Sequence, residues 1–531
     1  MQKALEIAKK SATGSFHLFI GVAASTIIMA IGTIILARLM TPEEYGLYSI
    51  ALIPSYMAIL FRDWGVNSAI TKYTATLRAE NKENETRRII LAGLTFEIIT
   101  GLILSLILIS LSTFIASTIF QRPETSNLIA IASVTLLAGA AITAVQSSFI
   151  GFERMELNSL TNICQATAKT IASPILVFIG YSALGATLGY TVSFITSAII
   201  SLTILYFAIV KKLKKDNPQK INAVQTLKEM LRYGVPLSIA LIISGFLVQF
   251  YAFLMAIYCD NAMIGNYQVA TQFATLLTFF TIPISTVLFP VFSKINPQRE
   301  SELLQTVFTS SVKYSAFILI PATTAVMVLS KPMISTLFGE KWNYAPLFLT
   351  LYVISNLFAI FGSLSLGSFL AGIGETKIQM KLSLITLAFG LPLALLLIPT
   401  NGIIGLITTS ITAGIPSLFL GLYWIWKRYK VKAETKSSIK IITASLIAAA
   451  FTFLAINFIK YAADWIELTV GGLTFIITYL ITAPLIGAIN KTDAQNLKTM
   501  FSELGIISKL LNLPLKTMEK LSNITWKSEH D

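Results

Sequence analysis

Ionisable and amide side chains set inside long apolar runs are the residues of this sequence that could do chemistry. Lys169, in "NICQATAKTIASPIL", lies near the middle of such a run, too deep to carry its ammonium easily to a membrane surface, and a charge so placed is costly enough to imply a use. It could contact a pyrophosphate or an acidic sugar, or it could be the structural partner of a carboxylate. Glu97, in "LAGLTFEIITG", is the carboxylate at similar depth in the same half of the chain and is the natural partner on the second reading. Arg38 closes the first apolar run; its planar guanidinium suits phosphate, but near a helix end arginine also serves as a C-terminal cap and interfacial anchor. Arg62, Asp63 and Lys72 cluster at the cytoplasmic end of the second run, where a lipid pyrophosphate would enter or where the two cations serve as positive-inside anchors, and Asp63 calls for pairing or gating. His17, near the start of the first run, could titrate near neutral pH or be a packed polar contact. Gln146, Gln165, Gln249 and Gln272 offer neutral hydrogen bonds suited to sugar hydroxyls, or fasten helices to one another.

Positioning such groups requires spanning helices, and the composition provides for them. The chain has 531 residues, 55% apolar and 12% charged, with a mean hydropathy of +0.74; the charged share is about half that of an ordinary soluble domain. Apolar runs fall at about 15–39, 44–61, 89–119, 127–150, 158–180, 183–210, 235–258, 264–291, 308–335, 345–371, 378–398, 402–426, 439–459 and 466–488. The fold class is therefore an all-α integral membrane protein with about 14 transmembrane helices.

Loop charge fixes the expected orientation. "MQKALEIAKKSATGS" is a basic leader that feeds directly into a span without a cleavage site, which predicts a cytoplasmic N-terminus. Alternate loops then collect Arg78, Arg87 and Arg88; Lys211 to Lys220; Lys294 and Arg299; Lys377 and Lys381; and Lys427 to Lys436. The intervening connections, such as "QRPETSN", "CDNA" and "PTN", are short and carry few cations. This is the positive-inside pattern, with both termini cytoplasmic, and it accounts for a net charge of +14 without nucleic acid. Cys164 and Cys259 lie far apart and read as packing residues, with no metal-ligand spacing. No GxxxxGK[ST] loop is present, "GIGETK" having the wrong spacing, and neither HExxH nor GxSxG occurs. The tail from about 491 to 525 alternates apolar and lysine-rich positions, which suits a helix lying on the inner leaflet or a solvated tail.

The turn "TPEE" at 41–44 reads as a capping box, with Thr41 as the cap, Pro42 at the first helical position and Glu44 three residues on. The motif after it repeats. "GLYSIA" from Gly46 recurs as "GNYQVA" from Gly265, "SFIGFER" from Ser148 as "SFLAGIGETK" from Ser368, Gly185 as Gly405 and Gly14 as Gly234, at offsets of 219 to 220. The predicted organisation is an N-terminal lobe of six helices at 1–210, a basic linker at 211–230 and a C-terminal lobe of six helices at 231–427. Helices 13 and 14 follow at 428–489, and a cytoplasmic tail at 490–531. Parallel repeats imply a pseudo-two-fold along the membrane normal and a substrate path between lobes.

The set "LARLMTPEEYGLYSIA", "DWGVNSAITKY", "IGNYQVA", "LFPVFSK", "STLFGEKWNYAPLFL" and "FLAGIGETK" resembles the polysaccharide transporter family, the O-antigen-type oligosaccharide flippases of the multidrug/oligosaccharidyl-lipid/polysaccharide exporter superfamily. The resemblance covers the twelve-helix core. It implies a secondary transporter, not an enzyme, that flips a polyprenyl-(pyro)phosphate-linked oligosaccharide from the cytoplasmic to the outer leaflet by alternating access. Its implied setting is the cell membrane, among membrane lipids and glycan-assembly enzymes, working as a monomer without a cofactor and with ion or membrane-potential coupling. Relatives with fourteen helices use the last two as a groove for the lipid tail. Where many relatives carry an Asp-Arg pair in helix 7, this chain has Tyr251 and Ala252, so no charged role is carried over. The rival expectations are a multidrug/cation antiporter, with twelve helices and a more apolar or acidic pocket, and a polysaccharide polymerase or glycosyltransferase with a large outer loop or carboxylate cluster.

Overall fold

The computed structural model describes residues 2–213, 223–459 and 462–490, with 492, 493, 495, 496, 498 and 517–519; side chains are described from residue 21 on, except 223, 240, 276, 278–287, 289 and 290. Among these residues every regular element is helical. Helix α1 (Gln2–Leu39) turns into α2 (Pro42–Ile59) through the expected capping box. Thr41 Oγ1 accepts the Glu44 N–H at 3.3 Å, and Glu44 Oε2 accepts the Thr41 N–H at 2.8 Å. The two bonds satisfy donors that the start of a helix leaves without partners.

The stretch after α2 corrects the sequence reading, which placed a loop there. The chain breaks at residues 60–65 and resumes as α3 (Val66–Ala79). Helix α3 buries only one stripe, Val66, Ala69, Ile70 and Thr74; such an amphipathic helix has no continuous apolar run to find. The order continues with α4 (Glu83–Phe114), α5 (Ser126–Gly151), α6 (Met155–Leu176), α7 (Ser182–Ala208), α8 (Ala223–Tyr258) and α9 (Asn261–Ser293). It closes with α10 (Ser301–Phe338), α11 (Ala345–Val353), α12 (Ser363–Gly372), α13 (Thr376–Thr412), α14 (Gly414–Tyr429), α15 (Thr435–Phe458) and α16 (Asp464–Leu485).

Nine helical stretches among the described residues are long and apolar enough to cross a membrane, or ten if Ala345–Phe361 and Ser363–Gly372, bent by 56°, form one span. Two of the nine, Met155–Lys212 and Thr376–Tyr429, are 58 and 54 residues long, more than twice the ~20 residues that a bilayer core needs. Each contains two of the apolar runs identified from the sequence.

By contacts the chain forms two compact units, Met1–Gly265 with Ile398–Gly402, and Asn266–Leu397 with Ile403–Asp531. In the first, α4 packs on α5, α1 on α6 and α6 on α7; in the second, α15 packs on α16 and both on α10. Phe369 anchors part of the second unit, with ring centroids 5.3 Å from Phe292 and 5.5 Å from Phe308.

The backbone carries the same repeat as the sequence. Ser182 (φ 49°, ψ −131°) and Gly402 (φ 57°, ψ −131°) stand at the repeat offset and share one unusual conformation. The turns after "SFIG" and "SFLA" also match: the Arg154 N–H reaches Phe149 O at 2.8 Å and the Glu375 N–H reaches Leu370 O at 2.8 Å. Within the first unit, a Cβ on Gly46 would stand 1.9 Å from Asn261 O, and a Cβ on Gly265 would stand 2.1 Å from Pro42 O. Gly46 and Gly265 are repeat counterparts, as are Pro42 and Asn261, so this contact is reciprocal in the way that a two-fold makes it.

Candidate functional site

The break between α2 and α3 positions the first constellation. Trp64 and Gly65 take positive φ of 49° and 77°, and a Cβ on Gly65 would stand 2.2 Å from Gly234 O, so glycine is required there on both counts. Asp63 caps the new helix, its Oδ1 accepting the Asn67 N–H at 2.8 Å. Arg62 is thereby directed toward α4 and α5. Its Nε lies 3.3 Å from Glu97 Oε2, with the two side chains 5% and 0% exposed, and its Nη2 donates to Thr143 Oγ1 at 2.9 Å. Asn67 Nδ2 donates to the other carboxylate oxygen of Glu97 at 3.2 Å.

Glu97 is therefore paired with Arg62, not with Lys169, which corrects the pairing offered from the sequence. The cause is the helical break, which carries Arg62 inward about midway between the two ends of the α2–α3 segment. Lys72 does not join Arg62 and Asp63; it lies further along α3, exposed, with Nζ 3.9 Å from the Tyr233 ring centroid. The expected cluster of three thus separates into an internal ion pair with its capping carboxylate and an outlying lysine.

Lys169, on α6, is half-buried and has no carboxylate within ion-pair distance among the described residues. Its ammonium sits 5.1 Å from the Tyr190 ring centroid, a cation–π contact that partly replaces hydration. Tyr190 is fixed in turn by Tyr56, with hydroxyls 3.1 Å apart, and by Phe194, with ring centroids 5.0 Å apart. Phe194 and Arg62 meet at Gly139, where a Cβ would stand 3.1 Å from Arg62 Nη1 and 3.4 Å from Phe194 Cε1. One wall of side chains therefore links the paired cation to the unpaired one.

The remaining sequence candidates have other settings. Gln146 donates to Asn162 Oδ1 at 2.7 Å and so fastens α5 to α6. Gln165 is half-buried on α6, Gln249 half-buried on α8, and Gln272 exposed on α9 of the second unit. Arg38 is exposed in the last turn of α1, and the His17 side chain lies outside those described. Tyr251 is buried, its hydroxyl unpartnered among the described residues. Hollows of about 440 Å³ beside Lys228 and Arg232 and about 610 Å³ beside Lys331 and Asp464 are lined by residues other than these.

Sequence reading missed three participants. Tyr56 and Tyr190 are hidden in continuous apolar runs, where a tyrosine reads as packing. Arg122 stood in a connection noted only for carrying few cations, yet its guanidinium donates to Asn261 Oδ1 and to the carbonyls of Phe120, Ala256 and Cys259. It caps the carbonyl end of α8, where a cation is favoured. Burial pushes the neighbouring Cys259 thiol up to about 12, so it stays protonated and inert at neutral pH.

Spanning helices with ionic groups enclosed among them define a multi-pass membrane protein of the transporter kind. A family model described as "Polysaccharide biosynthesis protein" matches residues 35–346, more than half of the chain, and the chain belongs to that family. It is similar to the lipopolysaccharide biosynthesis protein WzxC of Escherichia coli K12, at 25% identity over 365 residues covering 67% of this chain and 70% of that one. It is also similar to the probable low-salt glycan biosynthesis flippase Agl15 of Haloferax volcanii, at 21% identity over 248 residues covering 46% and 51%. The solved structure of the lipid II flippase MurJ, in an inward closed conformation, has a TM-score of 0.70 at 17% identity over 88% of this chain and 98% of that one. That likeness is one of fold.

Proposed function

We infer that this chain is a flippase that moves a polyprenyl-(pyro)phosphate-linked oligosaccharide from the cytoplasmic to the outer leaflet, for surface polysaccharide or glycoprotein glycan biosynthesis. It is a transporter and not an enzyme. The observation that carries the reading is Lys169, a cation within a span with no described carboxylate to neutralise it, in a chain whose relatives include a probable glycan flippase. An anionic headgroup supplies the missing counter-charge, and Tyr56, exposed beside the buried Tyr190, offers a ring face to a sugar.

The antiporter reading calls for a more apolar or acidic pocket, whereas among the described residues of the first unit Glu97 faces Arg62 and Asn67, and Asp63 accepts from the start of α3. On the flippase reading the chain sits in the cell membrane with both termini cytoplasmic, and two six-helix lobes alternate access to a path between them. It works as a monomer, beside glycan-assembly enzymes. The last two helices hold the lipid tail. A cargo with two negative charges moving outward down an inside-negative potential gains roughly 2.3 kcal/mol per charge per 100 mV, so the potential drives the step. The test is reconstitution: vesicles containing the purified chain should expose added lipid-linked oligosaccharide on the opposite leaflet faster than protein-free vesicles, and equal rates would refute the proposal.

A further inference from the structure

The second unit encloses a cation of its own. Lys313 lies roughly 18 Å along α10 from Ser301 at the helical rise, inside an apolar span. Its ammonium donates to Asp493 Oδ2 at 2.5 Å, with the side chains 16% and 10% exposed. The Tyr314 hydroxyl donates to the other oxygen, Oδ1, at 3.3 Å, and Asn496 Nδ2 donates to that hydroxyl oxygen at 3.0 Å.

The carboxylate comes from beyond α16, at a helical residue of the C-terminal segment. Helix α16 ends in a Schellman turn: Gly487 has φ 69°, the Ala488 N–H reaches Ala483 O at 2.9 Å, and the Gly487 N–H reaches Pro484 O at 2.9 Å. Ala488 and Ile489 are then buried, and a reciprocal pair follows. The Asn490 N–H donates to Asp493 Oδ2 at 3.0 Å, and the Asp493 N–H donates to Asn490 Oδ1 at 2.9 Å. Met518, 1% exposed, packs in the same cluster as Ala316, Leu319 and Tyr479. The segment after α16 is thus built to bring one carboxylate to α10.

The first unit closes its buried ion pair from within, between Arg62 and Glu97. The second closes its pair with an appended segment. A lysine ammonium and a tyrosine hydroxyl, one residue apart on α10, converge on two oxygens of one acid, and the same donors fit two oxygens of a phosphate. Without an anion, Lys313 would be an uncompensated charge within a span, which is strongly unfavourable.

We propose that Lys313 and Tyr314 form an oxyanion subsite for phosphate-bearing ligands in the second unit, which Asp493 of the chain's own C-terminal segment occupies as an internal competitor. The proposal rests on the phosphate-linked cargo inferred above. It makes Asp493 a stand-in for the headgroup: the subsite opens when the acid leaves, and an empty carrier keeps Lys313 neutralised.

The test is thermal unfolding of the full chain in neutral detergent, titrated with inorganic pyrophosphate and, separately, with phosphatidylglycerol. Asp493→Asn should lower the half-saturating concentration of at least one probe about tenfold relative to wild type, as expected when a competitor that fills the site nine-tenths of the time is removed. The double variant Lys313→Met with Asp493→Asn should lose that response. Saturation by pyrophosphate assigns the site to free or linked diphosphate, and saturation by phosphatidylglycerol alone assigns it to a lipid headgroup. Equal responses of wild type and Asp493→Asn, or a response retained in the double variant, would overturn the proposal. Should Asp493→Asn not fold, its yield with pyrophosphate present during purification gives the same decision, restored yield supporting the subsite and unchanged yield refuting it. Failure of the flipping assay would refute the cargo and leave these titrations to be read on their own.

Discussion

Arg62 and Lys169 are cations inside one unit, yet their surroundings assign them different work. Arg62 is ion-paired with Glu97 and donates to Thr143, so removing the acid should be costly. Glu97→Ala is expected to destabilise the protein by about 3 kcal/mol, because it takes the ion-pair partner from a buried guanidinium and leaves only Asp63 nearby; replacing both partners with leucine should recover most of that loss, as measured by thermal or denaturant unfolding in detergent. Lys169→Met should leave stability little changed, since no described ion pair is broken, while reducing transport. Both charges were legible in the sequence because ionisable residues stand out within apolar runs. Their pairing was not legible, since the partner of Glu97 depends on a helical break that puts Arg62 at depth. The aromatic setting of Lys169 was equally hidden, as Tyr190 comes from α7 and Tyr56 from α2.

Among the elements, the repeat gives the sharpest expectations. Ser182 holds a positive φ in which its repeat counterpart is Gly402. Such a conformation strains any residue with a Cβ, so Ser182→Gly should stabilise the protein by about 1 kcal/mol in spite of the added chain freedom, and an unchanged unfolding midpoint would count against that strain. Gly46→Ala and Gly265→Ala should each destabilise, because the new methyl would meet a carbonyl oxygen of the opposing helix start. Combining them should cost less than the two separately, since either one already forces the helices apart. The repeat was readable because turn motifs keep their residue types, as did the "TPEE" cap, whose two hydrogen bonds follow from side-chain reach alone. Helix α3 was not readable: an amphipathic segment between charged residues looks like a loop until its neighbours α4, α5 and α8 are in place.

At the scale of the whole molecule, membrane class and helical architecture follow from hydropathy alone, whereas the C-terminal segment shows what hydropathy cannot supply. Most of the tail at 491–525, where the alternation fits a surface helix or a solvated tail, lies outside the described residues; of those described, Asp493 and Met518 pack into the second unit, and a lone acid and a lone methionine carry no pattern that points to a partner so distant in sequence. Orientation can be checked by cysteine labelling in a Cys164→Ser background, in which the buried Cys259 is the one native thiol left. A cysteine introduced at Arg299 or Lys430 should react with impermeant maleimide only after the cytoplasmic face is opened. Transport should also quicken with an inside-negative potential, by the direction of the charge displacement, and a rate unaffected by collapsing potential and ion gradients would remove such coupling. The most direct measurement of the central claim is initial flipping of a fluorescent polyprenyl-diphosphate oligosaccharide in proteoliposomes, comparing wild type, Lys169→Met and Lys169→Arg at matched protein content. The expected result is rapid flipping by wild type, at least a ~10-fold loss in the methionine variant, as for removal of a charge-assisted contact, and partial recovery with arginine. Equal rates in all three would contradict the claim that a cation at this position carries the phosphate-linked cargo.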